Sequence, residues 1–244
     1  MPGIFKAYDI RGIFGDSLTP DMARRIGRAF ATFLKCRRVV VGRDMRPHSP
    51  PLCAALTDGL TKQGADVIDI GLCSTPMSYF ANGSLNADAS IMITASHNPG
   101  EWNGFKLCRE KAIPISGDTG IKDVESIVAG DAYAPAAARC GKVSTAEVIA
   151  GYVRHVQAAV PVSRSLRIAA DFANSMGIME AKALEGVLDI DPLFDTLDGT
   201  FPNHEANPLK AETLVALQKR VRSGAYVFGV AFDGDADRAG FIDE

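Results

Sequence analysis

Three aspartates at alternate positions, Asp233, Asp235 and Asp237, are the densest piece of chemistry in this sequence. Gly234 and Ala236 keep the positions between them small, so a gently turning segment can bring the carboxylates together, and Arg238 follows directly. Carboxylates held that close repel unless a cation stands among them, and an all-oxygen set suits a hard ion such as Mg²⁺. A solvated acidic turn would have the same composition. Against it, the run Phe228–Phe232 reads as a buried strand that aims the loop at a sheet edge. A calcium loop of EF-hand type is the other candidate, because Glu244 is the twelfth residue counted from Asp233. Arg238 stands where that loop needs glycine, however, and Ala239-Gly240-Phe241-Ile242 is no helix entrance. Mg²⁺ is the expected ion, with Arg238 offsetting charge and able to hold a phosphate oxygen bidentately.

The second reactive stretch is Ser-Ile-Met-Ile-Thr-Ala-Ser-His-Asn-Pro at residues 90–99. Ile91, Met92 and Ile93 read as a buried strand, and the turn-forming residues after it deliver Ser96 to the rim of a sheet. In open α/β sheets ligands sit outside the carboxyl ends of strands. A plain strand-ending turn would also use Ser96 and Asn98, bonding them only to backbone. His97 beside Ser96 suggests a serine hydrolase, but adjacent side chains are expected to point apart and no Gly-x-Ser-x-Gly elbow surrounds the serine. A serine, an Mg²⁺ loop and the cations Arg11, Arg43, Lys106 and Arg238 point instead to phosphoryl transfer. That chemistry is mostly positioning and charge neutralisation. Each of these cations taken singly would read as a solvated surface charge.

Other classes fall away on composition. A net charge of −3 and a pI near 5.8 give no basic footprint for nucleic acid. No apolar run approaches the roughly 20 residues of a membrane span, and the N-terminus lacks the apolar core of a signal peptide. Cys36, Cys53, Cys73, Cys108 and Cys140 form no Cys-x-x-Cys pair, which suits reduced thiols and a cytoplasmic location better than a disulfide framework or a zinc site.

The elements that must position these groups alternate. Residues 5–17 read as an irregular strand and loop holding Tyr8 and Arg11. Helices are expected from Thr19 as cap with Pro20 behind it, from Ser49 as cap with Pro50, and from Thr75-Pro76. Strands are expected at Val39–Val41 and Val67–Ile70 before the one that carries Ser96. Asn103-Gly104 predicts a tight turn that sends the chain back through Phe105-Lys106-Leu107, bringing Lys106 near Ser96. A helix near 118–128 closes the unit, and residues 130–142 read as a linker. Ser144 and Glu147 predict a capping box opening the next helix. After Pro161, strands at Leu166–Ala170, Ile190–Phe194 and Tyr226–Phe232 alternate with helices near 176–186 and 210–222, which argues a second α/β unit.

Six motifs in this order resemble one family, the α-D-phosphohexomutases, and its bacterial phosphomannomutase/phosphoglucomutase branch in particular. They are Phe-Lys-Ala-Tyr-Asp-Ile-Arg-Gly at 5–12, Gly-Arg-Asp at 42–44, Thr-Ala-Ser-His-Asn-Pro at 94–99, Asn-Gly-Phe-Lys at 103–106, Phe-Pro-Asn-His at 201–204 and Asp-Gly-Asp-Ala-Asp-Arg at 233–238. The phosphoglucosamine mutases of the family usually open instead with Gly-Thr-Asp-Gly-Ile-Arg-Gly. The resemblance implies two consecutive three-layer α/β domains with mostly parallel mixed sheets, the first over 1–135 and the second over 143–244.

It also implies an isomerase, an intramolecular phosphotransferase that interconverts hexose 6-phosphate and hexose 1-phosphate of mannose or glucose. A phosphoserine at Ser96 would pass its phosphoryl group to the sugar, with a hexose 1,6-bisphosphate as intermediate and activator. Asp233, Asp235, Asp237 and a phosphoserine oxygen would bind one Mg²⁺. Lys106 would assist proton transfer at the attacking hydroxyl, His97 would support the serine loop, and Tyr8, Arg11, Arg43 and Arg238 would face the phosphosugar.

Two departures qualify that picture. Where the family usually carries a glycine-rich Asn-Gly turn, this sequence reads Asn174-Ser175-Met176-Gly177, expected to be a local loop change. The family also has four domains, and this sequence ends about where the third would begin. The loops that read the sugar hydroxyls and grip the non-reacting phosphate are therefore expected to be missing, and domains three and four are left open as a separate partner chain. The expectation is a folded but nearly inactive phosphoryl-transfer half. A non-catalytic binding or regulatory paralogue is the alternative.

Overall fold

The computed structural model describes residues 3–159 and 162–243, and places them around two mixed sheets. In the first, the apolar runs of β2 (Arg38–Arg43) and β4 (Ala89–Ile93) are the central strands, buried on both faces. With β1 (Ile10–Ile13), β3 (Asp66–Leu72), β5 (Trp102–Arg109) and β6 (Val143–Thr145), they form a six-stranded sheet of order β1-β5-β4-β2-β3-β6. β2, β3, β4 and β6 run parallel, whereas β5 lies antiparallel between β1 and β4.

Side chains alternate along a strand, so each strand feeds both faces. Val39, Val41, Ile91 and Ile93 pack under α1 (Pro20–Leu34) and α2 (Ser49–Lys62), together with α4 (Ile121–Ala129). Val40, Ile68 and Met92 point to the opposite face. There they meet α3 (Thr75–Ser84), Val148, and Tyr152 of α5 (Ile149–Ala159). Each fully buried aliphatic side chain of this kind contributes about 1.5–3 kcal/mol. These are the three layers expected.

The second sheet has the order β10-β9-β7-β8, built from β7 (Arg167–Asp171), β8 (Asp189–Leu193), β9 (Phe228–Phe232) and β10 (Ala239–Ile242). The first three are parallel, and β10 returns antiparallel on β9 to close a hairpin around the three aspartates. One face packs on α7 (Val215–Ser223) and the other on α6 (Gly177–Leu184).

Thr19 caps α1 as its position predicts, accepting the Met22 N–H. Several other local expectations are overturned by tertiary contacts. Ser49 and Thr75 are not caps but first residues of their helices; His48 and Ser74 precede them, and the freed hydroxyls turn elsewhere. Asn103-Gly104 is no turn, because it lies inside β5. The Asn103 amide donates to Ser49 Oγ and bonds the His48 ring, each at 2.9 Å. Gly104 is required instead by close strand packing, since a Cβ there would lie 2.1 Å from the Ile10 carbonyl oxygen. Ser144 does not open a helix: it pairs in β6 with Ile68 of β3, and α5 begins at Ile149. Glu244, on which the calcium-loop alternative turns, lies outside the described residues, as does Pro161.

Candidate active site

β4 ends at Ile93 and the chain enters a loop over residues 94–101 before returning in β5. Ser96 is buried in this loop with a left-handed backbone, φ 53°. A non-glycine residue there costs on the order of 1–3 kcal/mol and persists only where surrounding contacts over-determine it. Two groups do so. Thr94 Oγ1 accepts the Ser96 N–H at 2.9 Å. Arg46, itself buried, donates to the Ser96 and Asn98 carbonyls at 3.0 and 2.7 Å and to those of Pro99 and Trp102 at 2.6 and 3.0 Å.

Burial lowers the Arg46 pKa, and the Asp44 carboxylate, 3.1 Å from Nε, opposes that shift. Ser49 Oγ donates to Asp44 at 2.6 Å, which is where the hydroxyl expected to cap α2 goes. The Phe201 ring covers the guanidinium at 5.0 Å, so the second unit seals the serine loop of the first.

The hairpin β9–β10 brings the acidic loop to Ser96. Ser96 Oγ donates to Asp233 Oδ2 at 2.6 Å and accepts from the Arg238 guanidinium at 2.7 Å. Arg238 also donates to Asp233 Oδ2, at 2.6 and 3.0 Å, and to His97 Nδ1. A Cβ on Gly234 would lie 2.2 Å from the Ser96 carbonyl oxygen, so only glycine permits this approach. Asp235 Oδ2 receives Lys106 Nζ at 2.5 Å and Thr75 Oγ1 at 2.6 Å, while Thr75 N–H donates to the Asp235 carbonyl at 2.9 Å. Lys106 Nζ bridges to Asp237 Oδ2, also at 2.5 Å.

His97 corrects one expectation. Its Nδ1 is 3.3 Å from Ser96 Oγ, because the left-handed serine turns the adjacent side chains to one side. The argument against a Ser–His hydrolase survives on other grounds. Nδ1 is taken by Arg238, and burial with the neighbouring Arg238 charge drives the His97 pKa down to about 4. The serine proton points at Asp233 rather than at the imidazole.

The residues fit a hard cation. Asp233, Asp235 and Asp237 each offer a carboxylate oxygen within 4.8 Å of the others. Asp235 Oδ1 is buried with no hydrogen-bond partner among the described residues, and an orphaned anionic oxygen is costly unless a positive group satisfies it. Burial beside Asp235 raises the Asp233 pKa to about 6. Asp235 is also desolvated, but Lys106 outweighs that and holds it ionised. Lys106 is desolvated in turn, and the two carboxylates outweigh this and keep it a charged ammonium.

An open cavity of about 350 Å³ lies over these groups, lined by Tyr8, Arg11, Ser96, His97, Lys106, Asp237 and Arg238 among others. Tyr8 is 81% exposed at its mouth, and Arg11 is held there by Asp9, at 2.7 Å, and by Asn98. Of the residues singled out from the sequence, Arg43 is not brought to this cavity: it pairs with Asp69 at 3.1 Å. The arginine of that segment that reaches the serine loop is Arg46. Sequence reading missed it, along with Thr75, Asp9 and the half-buried Tyr79, whose hydroxyl pKa desolvation pushes up to about 12. The polar, proline-flanked context of Arg46 and Thr75 looks like helix-start chemistry and carries no other local signal.

Comparison with known proteins gives a consistent relationship. Models of phosphoglucomutase/phosphomannomutase alpha/beta/alpha domain I and domain II match residues 2–134 and 150–244. A phosphomannomutase of Salmonella montevideo is 41% identical over 98% of this chain and 55% of its own length. A protein of Xanthomonas campestris pv. campestris named for phosphohexose mutases is 42% identical over 98% of this chain and 54% of its own. A crystal structure of a phosphoglucomutase/phosphomannomutase family protein from Burkholderia thailandensis superposes with a TM-score of 0.92 at 34% identity, covering 98% of this chain and 54% of that one. The chain thus spans about half the length of the curated relatives it matches.

Proposed function

The chain belongs to the phosphoglucomutase/phosphomannomutase family, and from that premise we propose that it is the phosphoryl-transfer half of a phosphohexomutase. Its substrate class is hexose 6-phosphate and hexose 1-phosphate, of mannose or glucose, with a hexose 1,6-bisphosphate as activator and Mg²⁺ as cofactor. The observation that carries the reading is the hydrogen bond from Ser96 Oγ to Asp233 Oδ2, which joins the serine loop of one unit to the acidic loop of the other.

In the first half-reaction the phosphoryl group leaves phosphorylated Ser96 for a sugar hydroxyl: the bond from phosphorus to Oγ breaks as a bond to the sugar oxygen forms, and the proton lost by the sugar hydroxyl is balanced by one taken up at Oγ to give the free serine. Arg238, already on Oγ, steadies the departing oxygen, and Arg11 and Tyr8 face the sugar phosphate across the cavity. In the return step Oγ attacks the other phosphate of the bisphosphorylated sugar. The Ser96 hydroxyl already donates to Asp233 Oδ2, so that carboxylate is placed to take the serine proton as Oγ becomes the nucleophile. His97, neutral and bonded to Arg238, fixes that guanidinium rather than moving a proton.

Bound Mg²⁺, held by Asp233, Asp235 and Asp237, would supply neutralisation of charge on the transferring phosphoryl group. Lys106 is clamped as an ammonium between Asp235 and Asp237, so as placed it contributes charge; it could accept a proton at the attacking hydroxyl only after giving up its own. We assign the sugar-reading and phosphate-gripping groups to the half of the relatives that this chain does not span, so the chain alone should be nearly inactive as a mutase.

Incubation with glucose 1,6-bisphosphate followed by phosphopeptide mapping tests the reading. It expects one phosphate on the peptide carrying Ser96 and none in Ser96→Ala. Label elsewhere, or label unchanged in the variant, overturns it.

A further inference from the structure

Asp235 is buried, yet its two carboxylate oxygens are treated unequally. Oδ2 accepts from both Thr75 Oγ1, at 2.6 Å, and Lys106 Nζ, at 2.5 Å, whereas Oδ1 has no partner among the described residues. The lysine reaches in on a long side chain and is equally engaged with Asp237. The threonine is held more tightly. It is the first residue of α3, its Cα is fixed in the helix, and its backbone N–H also holds the Asp235 carbonyl at 2.9 Å. A residue gripped at carbonyl and carboxylate together has its side-chain torsions set from outside its own loop.

We propose that Thr75 is a positioning residue for the cation site: it holds Asp235 Oδ2 so that Oδ1 is the oxygen turned toward the ion. The inference rests on reading the three aspartates as that site. Helix α3 of the first unit thereby supports a set of carboxylates that all belong to the second. Thr75 touches neither the ion nor the sugar and acts through Asp235. The bond is distinct from the neighbouring clip made by Ser74 and Tyr152, which both donate to Glu180 on α6, the Tyr152 bond at 2.6 Å, and leave the acidic loop untouched.

Calorimetric titration with MgCl₂ alone tests it on the chain as described. Thr75→Val keeps the side-chain shape and removes the hydroxyl, and should weaken Mg²⁺ binding about tenfold or more, the scale of a lost hydrogen bond to a charged group. Thr75→Ser restores the hydroxyl and should bind within about twofold of the wild type. Tyr152→Phe loosens the contact between units without touching Asp235 and should leave the affinity unchanged. A merely structural Thr75 would predict the reverse pattern, with Ser as weak as Val, or Tyr152→Phe as weak as Thr75→Val. Either result, or wild-type affinity in Thr75→Val, overturns the proposal while leaving the cation site standing. Should Thr75→Val fail to fold by circular dichroism, Thr75→Ala against Thr75→Ser decides the same question. Absence of Mg²⁺ binding in the wild type, or unchanged binding in Asp235→Asn, overturns the site itself.

Discussion

Ser96 and Asp233 are 137 residues apart in the chain and 2.6 Å apart at Oγ and Oδ2. The contact is made from two sheets: a strand end of the first supplies the hydroxyl and a hairpin of the second supplies the carboxylate. Everything proposed for the site depends on those two loops meeting.

Asp233→Asn removes both the acceptor of the serine proton and one carboxylate of the cation site while keeping the size of the side chain. Phosphorylation of Ser96 from glucose 1,6-bisphosphate should slow by at least about a hundredfold, the lower end of what a positioned base contributes. Intact-mass time courses read the rate directly.

Gly234→Ala should damage both loops at once, since the added methyl would meet the Ser96 carbonyl oxygen at 2.2 Å and backbone on both sides cannot yield cheaply. A loss of about 1–3 kcal/mol is expected. Urea denaturation of the variant measures it, and Ser96 labelling should fall with it.

Arg46→Lys should be far from conservative. A lysine ammonium has three donors on one nitrogen and cannot reproduce the planar fork that spans the Ser96, Asn98, Pro99 and Trp102 carbonyls. With Asp44 left poorly paired in the interior, a destabilisation of about 3–5 kcal/mol is expected. Hydrogen exchange should accelerate first in residues 94–102. Arg43→Lys, by contrast, removes part of a half-exposed pair with Asp69 and should change stability by less than about 1 kcal/mol.

His204 should make stability pH-dependent near neutrality. Its hydrogen bond to Asp171 raises its pKa above 6.5 against the opposing effect of burial, and the Glu205 carbonyl on the other ring nitrogen adds to the rise. A raised folded-state pKa gives stability that is complete below the unfolded value and is lost as pH rises through the folded one. Melting temperature should therefore fall as pH rises from the ordinary histidine range through the raised folded-state value, and the slope should flatten in His204→Gln. An unchanged slope in that variant would place the titration elsewhere.

How much of this was legible beforehand differs by residue. The strand around Val39–Val41, the strand that carries Ser96, the Thr19 cap and the closeness of the three aspartates are set by residues within a few positions of one another. Apolar runs and alternating carboxylates act over such distances, so the linear order suffices for them. Arg46, Thr75 and Asn103-Gly104 carry local signals for a helix start or a turn, and each is used instead by a partner far away in the chain. The same holds for His97, whose nearness to Ser96 follows from a left-handed backbone that Thr94 and Arg46 impose. Local propensities are worth fractions of a kcal/mol to about one per residue, whereas an unpaired buried charge or carbonyl costs more. The chain alone therefore determined which groups could do the chemistry. The packing of the two sheets decided which arginine holds the serine, which oxygen of Asp235 is left free among the described residues, and that Arg43 is turned to Asp69.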